Sequence, residues 1–331
     1  MRGIFIYENN VWRFDPQIKK EHPKFLQTQL RYLNELDPFF RKAKETSELQ
    51  FILCLIRQGG YTDVGWDPFE TFIQTHDAFK SITSSGLYSS VTDPYALFMY
   101  GLIMEASVPY EFLANLLNVI EGGTYRVNNF PDDTDANGKK RSQPFQNKID
   151  QIKSRAKKQK MKITLFDDFI DNKLRNSIFH SDYSMYLSEI RILHPIKRYT
   201  HEEWMTLVNN AFAYIEAFLG LYYAYIGTYK KPELIDAPED FIHHPNEKVI
   251  TIVREGYGLL GIKDNWTQDQ LARGYIPFRL LSCFPYEIPL IEKGQLLLPP
   301  DRVNKFNNII KPLPRFIRIF LAKVFRKKFK T

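Results

Sequence analysis

The sequence predicts a mostly α-helical protein, with a helical bundle at its centre, an α-helical region before it and an irregular, partly α/β region after it. Three observations predict this class. Apolar residues recur at three- and four-residue spacing through much of the chain, as in Leu49, Ile52, Leu53 and Ile56. Prolines and small polar residues precede such runs and glycines follow them, which is the punctuation of helices. Past residue 229 the prolines crowd together and the period fades. The regions divide as 1–92, 93–228 and 229–331, and 331 residues suffice for roughly two domains with cores of their own.

In the N-terminal region a helix opens at Pro23 and runs to about residue 45, with a kink expected at Asp37-Pro38. Ser47 to Gln58 forms the next and stops at Gly59-Gly60. Asp67-Pro68 starts a third, since Asp suits the cap and Pro the first turn. In the bundle, Asp93-Pro94 starts a helix that ends near Ala106, and Pro109 opens one that ends at Gly122-Gly123. Residues 124–144, rich in Asn, Asp, Gly and Pro, form a loop. A basic helix follows over 145–160, and Thr164 caps a helix from Leu165 to His180. Glu189 to His194 is a short β-like run. Thr200 and Glu203 make a capping box that opens a long helix to Ile226, ended by Gly227. In the last region Val249 to Arg254 reads as a strand, Thr267 with Gln270 as a second capping box, and Arg315 to Lys330 as a basic amphipathic helix.

Composition narrows the function classes. Cys54 and Cys283 are too few for a disulfide framework and fit a reducing compartment. No Cys/His cluster has zinc spacing, and no GxxxxGK[ST], GxSxG or HExxH motif occurs, so neither a metal nor a cofactor is expected. His243-His244 beside Pro245 and the run Asp132-Asp133-Thr134-Asp135 lack ligand spacing and read as solvated loops. The start, MRGIFIYENN, has no apolar h-region, which predicts no signal peptide and a cytoplasmic location. Ala211 to Ile226 is 16 residues long and contains Glu216, short of the about 20 apolar residues a membrane span needs. It reads as a buried core helix.

The net charge of +7 conceals an asymmetry. Residues 139–162 hold ten Lys or Arg against Asp150 alone, and residues 302–331 hold ten with no acid. Two basic segments on an acidic body point to a polyanion, either nucleic acid or an anionic membrane surface. The plain alternative is a solvated loop and a basic tail.

One stretch carries candidate chemistry: Leu174-Arg175-Asn176-Ser177-Ile178-Phe179-His180-Ser181-Asp182-Tyr183. Phe166, Ile170, Leu174 and Ile178 form an apolar stripe, and Arg175, Asn176 and His180 fall outside it. Asn176 and His180, four apart, lie one above the other. Arg175 sits about 140° round the helix from His180, so a site using both gains from a second copy of the helix across a two-fold axis.

The chain here resembles the HEPN superfamily, bundles of four or five helices with a motif of Arg, a polar residue, three or more residues, then His. Arg175, Asn176 and His180 match it, and the resemblance covers about residues 93–228. It implies a metal-independent endoribonuclease that dimerises around a composite site, serving as a toxin or antiviral effector with an antitoxin or regulatory partner. Other members keep the bundle without catalysis. In members paired with nucleotidyltransferases a Tyr separated from the His by one residue is adenylylated. Here Ser181 and Asp182 both precede Tyr183, a departure from that spacing.

The residue chemistry suits RNA cleavage without a metal. His180 can act as general base or acid on the 2′-OH proton, Arg175 can fork onto phosphate oxygens, and Asn176 can orient the imidazole or bond the phosphate. Products would be a 2′,3′-cyclic phosphate and a 5′-OH. Lys153, Arg155, Lys157, Lys158 and Lys160 on the basic helix would contact the RNA backbone. Two rival expectations stand beside this one: a non-catalytic RNA-binding or protein-interaction module on the same bundle, and a peripheral membrane protein held by the C-terminal helix.

Overall fold

The computed structural model describes residues 4–17, 23–56, 68–83, 89–134, 138–237, 248–263, 265 and 279–281. They are mostly α-helical, with small antiparallel sheets. They fall into two compact units, divided after Cys54 and after Tyr222, with residues 68–222 joined to the first. Gly59-Gly60, Asp67, Asp135, His243-His244, the Thr267 capping box, Cys283 and the Arg315–Lys330 segment lie outside the described residues.

The first unit opens with a hairpin, β1 (Phe5–Glu8) and β2 (Val11–Phe14), turned by Asn9 and Asn10 at φ 52° and 62°. Asparagine tolerates this left-handed pair of positions, but four-residue strands are too short for a period to be read. Helix α1 (Lys24–Thr46) grips the hairpin: Asn34 accepts from the Trp12 N–H at 2.7 Å and donates to the Trp12 carbonyl at 2.9 Å. Pro38 lies inside α1, which continues past it to Thr46. Leu36, Phe39 and Phe40 are buried on both sides of Pro38, and their packing outweighs the lost backbone bond.

Helix α2 (Glu48–Ile56) is buried at nearly every position, and α3 (Pro68–Thr83) follows. Helix α4 (Ser89–Glu105) starts a turn earlier than Asp93-Pro94 signals, so Pro94 falls within it. The proline removes one N–H whose partner would lie in the first turn, where the helix tolerates the loss. Helix α5 (Ser107–Ile120) is the centre of the unit, buried from Val108 to Ile120 except at Glu111, with α1 and α3 against it. Gly122 at φ 82° ends it. The predicted loop 124–144 is held by side chains of α5: Asn115 brackets the Arg126 peptide with bonds of 2.9 and 2.8 Å. Within it β3 (Asp133–Thr134) and β4 (Lys140–Arg141) form a minimal ladder.

Helix α6 (Phe145–Lys158) packs on α5 through Phe145, Ile149, Ile152 and Ala156. The expected helix from Leu165 to His180 is in fact two pieces, a 3-10 turn (Leu165–Asp168) and α7 (Asn172–His180). Thr164 does not cap. Its hydroxyl donates to Glu35 at 3.0 Å, and the Glu35 carboxylate also takes the Thr164 and Leu165 N–H groups. Asp171 is the cap of α7 instead.

A meander follows: β5 (Tyr183–Tyr186), β6 (Glu189–Leu193) and β7 (Ile196–Tyr199), with β6 in the middle. Helix α8 (His201–Ile226) begins with the predicted capping box, Thr200 N–H to Glu203 at 2.7 Å and Glu203 N–H to the Thr200 hydroxyl at 3.3 Å. No helix among the described residues is long and apolar enough to cross a membrane. The aromatic run of α8 enters the core, where Tyr214 stacks on Phe169 at 5.2 Å.

Glu216 on α8 meets α3: Lys80 Nζ is 2.8 Å and His76 Nε2 3.2 Å from one of its carboxylate oxygens. Burial raises the pKa of the carboxyl, but its contacts with His76 and Lys80 outweigh burial and hold it at about 2. A depressed carboxylate pKa stabilises the fold above the unfolded value of about 4.3, and the gain is lost as pH falls toward 2. Glu216→Gln is expected to cost about 3 kcal/mol at pH 7 and to flatten stability between pH 5 and 2. Urea unfolding across that range measures both.

The second unit contains an antiparallel sheet ordered β11-β10-β9-β8, from β8 (Leu234–Asp236), β9 (Lys248–Arg254), β10 (Gly258–Lys263) and β11 (Arg279–Leu281). The predicted strand is β9. Gly258 has φ 112°, and a Cβ there would strike the Ile226 carbonyl. Gly258→Ala is expected to destabilise this unit by about 1–3 kcal/mol, read by denaturant titration.

Candidate functional site

The site is built around the start of α7. Asp171 Oδ1 accepts the N–H groups of Lys173 and Leu174, both at 3.0 Å, which satisfies two orphan donors of the first turn. Its Oδ2 accepts from Lys197 Nζ at 3.0 Å and from the Tyr199 hydroxyl at 2.9 Å, tying α7 to β7. Burial raises the pKa of Asp171, yet these bonds and the Lys197 charge bring it below the ordinary value. Tyr100 on α4 completes the frame, donating to the Phe169 carbonyl at 2.8 Å and accepting the Asp171 N–H at 3.1 Å.

With its start fixed, α7 buries Leu174, Ser177 and Ile178 and turns Arg175 and Asn176 toward α4 and α6. Gly101 of α4 makes this packing close, since a Cβ there would meet Ile178 and Phe179 at 3.2 Å. Arg175 and Asn176 line a cavity of about 420 Å³. Arg175 forms an ion pair with Glu105, the last residue of α4, and its Nη1 donates to Asn176 Oδ1 at 2.8 Å. The guanidinium lies 5.9 Å over the Phe145 ring. Burial lowers the Arg175 pKa from its ordinary value, and its Nε is buried with no acceptor among the described residues. Arginine keeps its charge through such shifts.

The rest of the wall is polar over an aromatic floor. Ser107, Ser142, Gln143, Gln146, Lys148 and Asn172 supply hydroxyl, amide and ammonium groups, above Phe145 and Tyr110. Asn172 donates to Gln146 at 2.7 Å, and Gln146 in turn to Asp150 at 2.8 Å. Sequence reasoning missed these residues because they come from separate segments with no shared motif. Glu105 alone left a signal, since an acid at a helix C-terminus opposes the helix dipole and calls for a partner.

His180 is exposed at the end of α7 and is not in the cavity wall. Five residues after Arg175, it lies about 7.5 Å farther along the helix axis and turned away from it. Within one chain, then, the helix brings Arg175 and Asn176 to the cavity but not His180. Tyr183 begins β5.

The five basic residues of α6 and its end divide into two groups. Arg155 binds Glu121 at 2.8 and 3.0 Å and Asn118 at 2.5 Å, and Lys153 pairs with Asp167. These two hold internal partners. Lys157, Lys158 and Lys160 are exposed. Among the described residues no group of His, Cys, Asp or Glu is arranged to hold a metal ion. Comparison with protein-family models, curated proteins and solved structures finds no match for this chain.

Proposed function

We propose that this chain is a HEPN-like, metal-independent endoribonuclease that works as a homodimer. The observation that carries the reading is the placement of Arg175: a partly buried guanidinium with an unpartnered Nε, beside Asn176, in the wall of a polar cavity. Such a group binds phosphate oxygens and stabilises the charged phosphorane of 2′-OH attack. His180 supplies the proton transfer. Because it projects away from Arg175 on the same helix, the imidazole comes to the reacting phosphate from a second copy across a two-fold axis. Lys157, Lys158 and Lys160 extend the anion-binding surface, adding salt-dependent affinity without sequence choice.

The test is cleavage of total RNA by purified protein in EDTA, with Arg175→Ala and His180→Ala as controls. Cleavage lost in both variants supports the nuclease; cleavage absent from the wild type, or equal in all three, ends that reading. A second reading rests on the Arg175–Glu105 ion pair and on the exclusion of His180 from the cavity: a module that binds RNA without cutting it. It requires RNA retention on the wild type with no 2′,3′-cyclic ends.

A further inference from the structure

The nuclease reading places a phosphate at Arg175 and leaves the Glu105 side of the cavity without an occupant. The cavity combines a carboxylate, Glu105, with donors of the opposite kind, the Asn176 amide and the Lys148 ammonium, above the buried ring of Phe145. Glu105 is 42% exposed and pairs with Arg175 through one oxygen, so its carboxylate can turn to a ligand. Asn176 Oδ1 accepts from Arg175, and its amide N–H groups have no acceptor among the described residues. A volume of about 420 Å³ lies within the range of small-ligand sites.

We propose that this cavity binds a guanine base, and so acts as the specificity subsite of the nuclease on which the proposal rests. Guanine alone among the four bases presents two adjacent donors, N1–H and the 2-amino group, to both oxygens of one carboxylate. Its adjoining edge presents the O6 and N7 acceptors that amide and ammonium donors match. Adenine would set its N1 lone pair against Glu105, and uracil its carbonyls. Cytosine offers the carboxylate one amino group and is the nearest rival. Docking on Glu105 also frees the Arg175 guanidinium, which then meets the phosphate attached to that nucleoside.

The experiment titrates the 331-residue chain with the 3′-monophosphates of guanosine, adenosine, cytidine, uridine and inosine by calorimetry. Guanosine 3′-monophosphate is expected to bind at least about tenfold tighter than the other natural three. The inosine ligand, which lacks the 2-amino donor, is expected to bind about tenfold more weakly than guanosine. Glu105→Gln is expected to remove the guanosine preference; the inosine comparison reads the same contact without a mutation. Equal affinity for all five, tighter cytidine binding, or no binding overturns the proposal. A uridine hexanucleotide carrying one central G binds tighter than guanosine 3′-monophosphate if an RNA strand presents the base, and no tighter if the ligand is a free nucleotide. Guanosine binding by a protein that cuts no RNA would keep the base site and end the nuclease, while cleavage indifferent to G would do the reverse.

Discussion

His180→Ala is expected to lower the rate of RNA cleavage by about 10²–10⁴-fold while RNA binding changes less than about twofold. The imidazole is exposed and outside the cavity, so its removal leaves Arg175, Asn176 and the basic surface intact. Its loss therefore falls on proton transfer rather than affinity. Arg175→Ala is expected to cost both, because in the proposed nuclease the guanidinium would contact the ground-state phosphate and the transition state alike. The proposed two-fold arrangement would add a sharper outcome. If each site takes Arg175 from one protomer and His180 from the other, a mixture of the two inactive variants forms hybrids with one intact site. Random exchange at equal concentrations then restores about a quarter of wild-type activity. No recovery after confirmed exchange, with activity present in the wild type, would place both groups in one chain. That contradicts the separation imposed by five helical residues.

The legible parts of this fold are those whose partners lie within one turn of each other. Thr200 and Glu203 specify their capping box within four residues, and the box forms as read. Over Leu165–His180 the apolar stripe promises one helix, but residues distant in sequence decide the outcome. Glu35 draws the Thr164 hydroxyl away from capping, and Tyr100 holds the peptides on either side of the break. Strands of four residues, such as β5 and β7, offer too few alternations to be distinguished from loop. The candidate site divides in the same way. Arg175 and Asn176 stand out because one helix carries them on its polar face. Their partner Glu105 and the cavity wall come from other segments, and only packing brings them together. Lys153 and Arg155 look like solvent-facing cations in the sequence, but the acids that claim them, Asp167 and Glu121, lie outside the basic stretch.

Asp171→Ala is expected to lower stability by about 2–4 kcal/mol and to take the base preference and any cleavage with it. Removing the cap leaves the Lys173 and Leu174 N–H groups without their acceptor, which costs about 1 kcal/mol. The Tyr199 hydroxyl loses its acceptor in a side chain that is 2% exposed, a further cost of about 1–3 kcal/mol. Lys197 is 40% exposed and turns to water, so its loss adds little. Asp171→Asn separates the contributions, because an amide oxygen still caps the helix. The charge remains absent, and that variant is expected to lose about 1 kcal/mol. The pH dependence carries the sign. The folded-state pKa of Asp171 is depressed, so its contribution is present above about 3.9, the unfolded value, and fades as pH falls below it. Wild-type stability should therefore drop more steeply than that of Asp171→Asn on acidification below pH 4, with the two curves converging. Parallel curves would mean that the carboxylate acts through shape alone. The Arg175 N–H donates to the Asp171 carbonyl at 3.0 Å, so the turn that Asp171 caps is the turn that aims the guanidinium at the cavity. A helix frayed there loses the site before the unit unfolds.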